Sequence, residues 1–178
     1  MSVQLESIVL GGGCFWCLDA GYRLIEGIES VTSGFAGGQM QNPTYYDVTS
    51  GKTGHAEVVK IDFDGKKISL EDVLDIFWAM HDPTTKDRQG NDVGSQYRST
   101  ILYTDEGQLD VIKKSIESIT LLWDDPIVTE VKKLATFYPA EEEHQNYFQK
   151  NPERGYCQVI INPKLAKLRA KFTERVKN

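Results

Sequence analysis

Long apolar runs are missing from this 178-residue chain. No window approaches the 18 or more apolar residues of a membrane-spanning helix. A surplus of positive charge is missing too. Twenty lysines and arginines stand against 26 aspartates and glutamates, a net charge of −6, so neither nucleic acid nor an anionic membrane surface is an expected partner. The opening "MSVQLESIVLGGG" has no basic segment, and its apolar run is too short for a secretory signal. The expected location is therefore the cytoplasm. Repeats, low-complexity tracts and linkers are also absent, and a chain of this length buries one good core rather than two. A single domain over residues 1–178 is expected.

Cysteine is scarce, with only three residues, an odd number that does not suit the paired disulfide framework of a small secreted protein. Two of the three, Cys14 and Cys17, stand three positions apart in "IVLGGGCFWCLDAGYRLI". The run "ESIVL" reads as a short buried strand broken by Gly11, Gly12 and Gly13. From Phe15 to about Ile28, apolar residues recur at helical spacing at Leu18, Tyr22 and Ile25. A strand, a glycine turn and a helix thus bring Cys14 to a helix N-terminus, where unpaired N–H groups favour an anion. A thiol there is expected to have a lowered pKa. The glycines would allow a substrate to approach the backbone, between aromatic walls supplied by Phe15 and Trp16.

Further along, "SVTSGFAGG" and "HAEVVKIDFD" read as strands. "SLEDVLDIFWAMHD" reads as a helix with a capping box at Ser69 and Asp72 and an apolar stripe at Leu70, Val73, Leu74, Phe77 and Met80. "YRSTILYTD" and "IVTEVKKL" are expected strands, separated by a helix at "EGQLDVIKKSIESIT". "AEEEHQNYFQKN" is an expected short helix and "YCQVII" an expected strand, followed by a C-terminal helix with Pro163 in its first turn. Strands that neighbour in sequence, mixed with helices, indicate an α+β fold with helices on a mixed sheet. Two long polar stretches, "QMQNPTYYDVTSGKTG" and "DPTTKDRQGNDVGSQ", have no periodicity and read as functional loops.

Alternation along the third strand puts His55, Glu57, Val59, Ile61 and Phe63 on one face. A carboxyl group there either pairs with a cation or has its pKa raised by desolvation, and a carboxyl kept protonated near neutral pH is a general acid. The opposing reading places His55 and Glu57 on a frayed strand end in water. The two loops carry Tyr45, Tyr46, Asp92 and Tyr97, three phenols and a carboxylate that can converge on one pocket.

The blocks "GGGCFWC", "NPTYYDVTSGKTGHAEVV", "HDPTTKDRQGNDVGSQYRS" and "EEEHQNYFQKNPERGYC" resemble the signatures of the peptide methionine sulfoxide reductase A family, in order and over roughly residues 8–160. The resemblance implies a two-layer α/β sandwich with a ferredoxin-like core and long excursions. It implies reduction of the S-epimer of methionine sulfoxide, peptide-bound or free, with no metal or flavin cofactor. By position, Cys14 would attack the sulfoxide sulfur, and Phe15 and Trp16 would hold the S-methyl group. Glu57 would protonate the oxygen with help from Tyr45 and Tyr97, and Asp92 would order the pocket. The resulting Cys14 sulfenic acid would be resolved by another thiol, and thioredoxin or a similar dithiol would reduce the disulfide. A monomer is expected.

The chain departs from a common family pattern in two places. Many members have glycine where Cys17 stands, and many follow the "GYC" block with a glycine-rich tail holding a further cysteine. Here Cys157 is followed by "QVIINPK". Both Cys17 and Cys157 are therefore candidate resolving thiols. Cys17 is favoured because residues three apart on a helix lie about 5–6 Å apart, within reach of a disulfide. Two other functions fit parts of the pattern. A thioredoxin-like dithiol oxidoreductase would use Cys14 and Cys17 but gives Glu57 no purpose. A zinc module would need Cys157 with His55, His81 or His144 to complete its ligands.

Overall fold

The computed structural model describes residues 5–177; the part of the leader reading that falls on residues 1–4 lies outside them. Strand β1 (Leu5–Gly11) leads into helix α1 (Phe15–Arg23) and strand β2 (Ile28–Ala36). A one-turn helix α2 (Tyr45–Thr49) precedes β3 (Ala56–Asp64) and α3 (Leu70–Met80). The small hairpin β4 (Arg88–Gln89) and β5 (Asp92–Val93) comes next, then β6 (Thr100–Tyr103), α4 (Gln108–Thr120), β7 (Glu130–Lys133) and β8 (Phe137–Pro139). Helices α5 (Tyr147–Lys150) and α6 (Asn162–Lys171) complete the chain.

Six strands form one sheet in the order β7-β6-β1-β3-β2-β8. Strand β1 runs antiparallel to β3 and β6, and β2 runs antiparallel to β3 and β8. Among the described residues, only β7 lies parallel to its neighbour. The sheet is therefore mixed, as the strand and helix order indicates. Alternation divides its two faces. Ile8, Leu10, Phe35, Val59, Ile61 and Phe63 point into the main core with Phe15, Leu18, Tyr22 and Phe77. Val9, Ala36, Ala56, Val58 and Leu102 form a smaller layer behind, closed by Leu134 and Phe137.

Local chemistry explains the strongest elements. Ser69 accepts from the Asp72 N–H and Asp72 accepts from the Ser69 N–H, closing the capping box of α3, and loss of such a cap typically costs about 1 kcal/mol. All five residues of the expected α3 stripe are buried. The Tyr22 hydroxyl donates to the Val73 carbonyl at 2.7 Å, tying α1 to α3.

Several expectations need correction. Helix α1 ends at Arg23 rather than near Ile28, because the chain turns through Gly27 at φ +94°. Both polar loops contain short structure: α2 with a Thr44–Asp47 capping box, and the β4–β5 hairpin with a 3₁₀ turn at Ser95–Tyr97. The segment "AEEEHQNYFQKN" is split by Asn146 at φ +51° into a 3₁₀ turn, Glu142–His144, and α5. Most consequential, "YCQVII" is not a strand: Cys157–Ile161 is a π-helical turn that runs into α6. Its β-branched residues suggest a strand, yet Cys157, Ile161, Leu165 and Leu168 are the buried positions, and their spacing of four, four and three is helical. Strand β8 is an edge strand that tolerates Pro139.

Strand β8 lies so close to β2 that a Cβ at Gly34 would sit 2.4 Å from the Tyr138 carbonyl oxygen. Gly34→Ala is expected to destabilise the fold by about 1–3 kcal/mol. Calorimetry should show Tm lower by roughly 3–10 °C. Gly155→Ala, with open space around its Cβ, should leave Tm unchanged.

Candidate active site

Cys14 is the N-cap of α1, with extended backbone at φ −63° and ψ 129°. The preceding turn needs Gly13, which sits at φ +94°, a region other residues rarely enter. The three glycines do not clear a path for substrate. A Cβ on Gly12 would meet the His81 ring at 2.8 Å, and one on Gly13 would meet the Gln89 side chain at 2.7 Å. They let the protein's own side chains close behind Cys14, which is left only 7% exposed.

Strand β3 delivers Glu57 beside this turn. Glu57 is fully buried, as is its neighbour His55, so the frayed-end reading fails. The Phe15 N–H donates to Glu57 Oε1 at 3.1 Å, while Oε2 has no hydrogen-bond partner. Burial pushes the carboxyl pKa up to about 8, and nearby Asp92 adds to the effect. The Phe15 N–H and the Cys14 side chain offset it only in part. The expectation of a raised carboxyl pKa therefore holds.

The expectation for Cys14 does not. Burial pushes its thiol well above the usual range, and Glu57 and Cys17 push the same way. The Trp16 backbone N–H at the helix start favours the thiolate, but that single interaction is outweighed. Desolvation dominates because the site is closed to water.

An aromatic box stands in front of this pair. Phe15 and Trp16 lie with ring centroids 6.5 Å apart, and Tyr45 stacks near both, at 6.2 and 6.4 Å. Tyr45 and Tyr97 are partly buried, and the pKa of each is raised first by burial and then by Glu57. Asp92 also acts on both, so the two loops do converge on one site. Tyr46 points away and is 85% exposed. Three aromatic neighbours were not expected in this pocket from the sequence, where His144 entered only as a candidate zinc ligand. His144 packs on Tyr45 at 4.2 Å, Tyr147 stacks on Trp16 at 3.7 Å, and Tyr156 meets Trp16 edge-on at 5.9 Å. All three fall within "EEEHQNYFQKNPERGYC", the fourth block of the family resemblance, and that was the available signal. The Tyr156 hydroxyl donates to Asp92 Oδ2 at 2.9 Å, fixing the β5 end of the site.

All three cysteines are free and buried. Cys17, one turn along α1 from Cys14, packs with Cys157, Ala20, Ile161 and Leu165 in a separate small cluster. Its sulfur lies 3.9 Å from the Tyr156 hydroxyl and 3.8 Å from Lys164 Nζ. Cys157 is held in the π-helical turn rather than in the expected strand. Among the described residues no cluster of three or more His, Cys, Asp or Glu side chains is placed to hold a metal. No helix among them is long and apolar enough to cross a membrane.

This arrangement puts a buried thiol and a carboxyl with a raised pKa at the base of an aromatic box. It suits reduction of a small sulfur–oxygen group better than dithiol exchange, which needs neither Glu57 nor the box. Comparison with known proteins agrees. A protein of Paenarthrobacter aurescens (strain TC1) named peptide methionine sulfoxide reductase MsrA is 56% identical over 169 residues, covering 95% of this chain and 97% of that one. The structure of Mxr1 from Saccharomyces cerevisiae in reduced form superposes with a TM-score of 0.82 at 34% identity, covering 86% of this chain and 89% of that one. Mxr1 in complex with Trx2 aligns with a TM-score of 0.58 at 26% identity, covering 80% and 84%. The family model described as "Peptide methionine sulfoxide reductase" matches residues 6–176, and with the relatives it shows that this chain belongs to the peptide methionine sulfoxide reductase family.

Proposed function

We propose that the chain reduces the S-epimer of methionine sulfoxide, peptide-bound or free, to methionine, with Cys14 as nucleophile and Glu57 as general acid. One observation carries the assignment: the buried, unpartnered Oε2 of Glu57 beside the Cys14 thiol. A sulfoxide is a poor electrophile until its oxygen accepts a proton, and a carboxyl kept neutral by burial supplies one. Phe15 and Trp16 hold the S-methyl group, Tyr45 and Tyr97 hydrogen-bond the oxygen, and Asp92 orders the pocket through Tyr156.

The Cys14 sulfur attacks the sulfoxide sulfur as Glu57 protonates the oxygen, and the thiol proton returns to the carboxylate. The hydroxyl then passes from the methionine sulfur to the Cys14 sulfur as the bond between the two sulfurs breaks, which releases methionine and leaves Cys14 as a sulfenic acid. A second thiol then forms a disulfide with Cys14 and releases water. Cys17 is that thiol, because it lies one turn away on the same helix. Cys157, packed against Cys17, can receive the disulfide in a further exchange. A dithiol protein of the thioredoxin class returns the cysteines to thiols, a reading supported by the complex of Mxr1 with Trx2.

The same reading takes the protein as a cytoplasmic monomer, since the cycle requires reduced thiols. Family coverage from residue 6 to 176 supports one catalytic domain over residues 1–178. The central strand order β6-β1-β3-β2, all antiparallel, with α1 and α3 packed into one core, supports a ferredoxin-like two-layer sandwich.

Cys14→Ser should abolish reduction of the S-epimer, because an alcohol in this site stays protonated and weakly nucleophilic. Turnover of the two epimers by chiral chromatography checks this, and efficient use of the R-epimer by the unaltered protein would contradict the assignment. For Glu57, the acid is active below its pKa near 8, so the reductive step should slow as pH rises through that value. Glu57→Gln should lower the single-turnover rate by about 10²–10⁴-fold and flatten this alkaline limb. For the resolving thiol, one equivalent of sulfoxide without reductant should yield a Cys14–Cys17 bridge by peptide mapping. Cys17→Ser should retain one turnover but lose thioredoxin-driven cycling. A bridge from Cys14 to Cys157 in the unaltered protein would transfer the role to Cys157.

A further inference from the structure

The sulfur of Cys17 is more elaborately surrounded than a bystander thiol requires. Lys164, partly buried in the first turn of α6, places Nζ 3.8 Å from it, and the Tyr156 hydroxyl lies 3.9 Å away. The same hydroxyl donates to Asp92. Tyr156 has one proton to give, so the Cys17 S–H donates toward Tyr156 while Tyr156 donates to Asp92. Only Lys164 then offers N–H groups to the sulfur, and its positive charge is the charge a thiolate would attract.

We propose that Lys164 is a positioning residue for disulfide formation, holding Cys17 as the thiolate that attacks the Cys14 sulfenic acid. The inference rests on the reading of Cys17 as resolving thiol. In the step, the Cys17 sulfur bonds to the Cys14 sulfur as the Cys14 sulfur–oxygen bond breaks. The departing hydroxide and the proton lost by Cys17 leave together as water. Cys17 is oxidised and the Cys14 sulfur is reduced, both to the disulfide level, with no outside oxidant.

The balance of charges around Cys17 agrees with this role. Burial raises its pKa, and Lys164 is the largest opposing influence. The other titratable groups facing it are Asp92 of β5, Cys14 on its own helix and Cys157 of the π-helical turn. Lys164 also acts on His81, which it helps to keep neutral.

Two measurements test the proposal. In protein carrying Cys14→Ser and Cys157→Ser, the Cys17 thiolate is titrated by its ultraviolet absorbance. Adding Lys164→Met should reduce the thiolate fraction at a fixed pH below the midpoint by about tenfold, the change for one pKa unit. Lys164→Arg should restore most of it. In protein with all three cysteines, Lys164→Met should slow disulfide formation about tenfold relative to methionine release, followed by quenched peptide mapping after one equivalent of methionine sulfoxide. An unchanged titration and an unchanged ratio overturn the role of Lys164 and leave Cys17 as resolving thiol. A shifted titration with normal bridge formation in Cys17→Ser overturns the role of Cys17 itself.

Discussion

The hydrogen bond from the Phe15 N–H to Glu57 Oε1 is the constraint on which the site depends. The first turn of a helix has N–H groups without helical partners, and here one of them is satisfied by a carboxyl group from a neighbouring strand. The bond fixes Glu57 against the turn that carries Cys14 and occupies only one of its two oxygens. No cation is among the groups that act on Glu57. A lysine or arginine in its place would have kept the carboxylate charged and useless as an acid.

Thiol and carboxyl are each kept neutral by the same dry surroundings, and a charge on either would raise the pKa of the other. Both groups are therefore disposed to the protonated form. The aromatic box serves this state by excluding water, the solvent that would otherwise stabilise both charged forms.

The outer wall of the box is positioned by contacts distant in sequence. Gln145 donates to and accepts from the backbone of Ser33, both at 2.8 Å. The Asn146 N–H donates to buried Asp19 at 2.7 Å. These bonds hold His144 and Tyr147 over Trp16 although the segment has only one turn of 3₁₀ helix and one of α-helix. Such short pieces have no stability of their own, which is why periodicity does not reveal where the wall stands.

The sequence by itself determined the parts that depend on neighbours along the chain. These are the β1–glycine–α1 turn presenting Cys14, the capped stripe of α3, and the period-two alternation that turns Glu57 toward the core. The four signature blocks also determined the family. Only the tertiary structure decided the protonation of Cys14, because the burial that overcomes the helix N-terminus comes from strands and loops remote in sequence. It also decided that Cys157 lies in a π-helical turn, since β-branched residues favour a strand locally while packing against α1 and α6 selects the helical spacing. The setting of Cys17 between Tyr156 and Lys164 was likewise a tertiary decision: partners 139 and 147 residues away along the chain meet its sulfur only after folding.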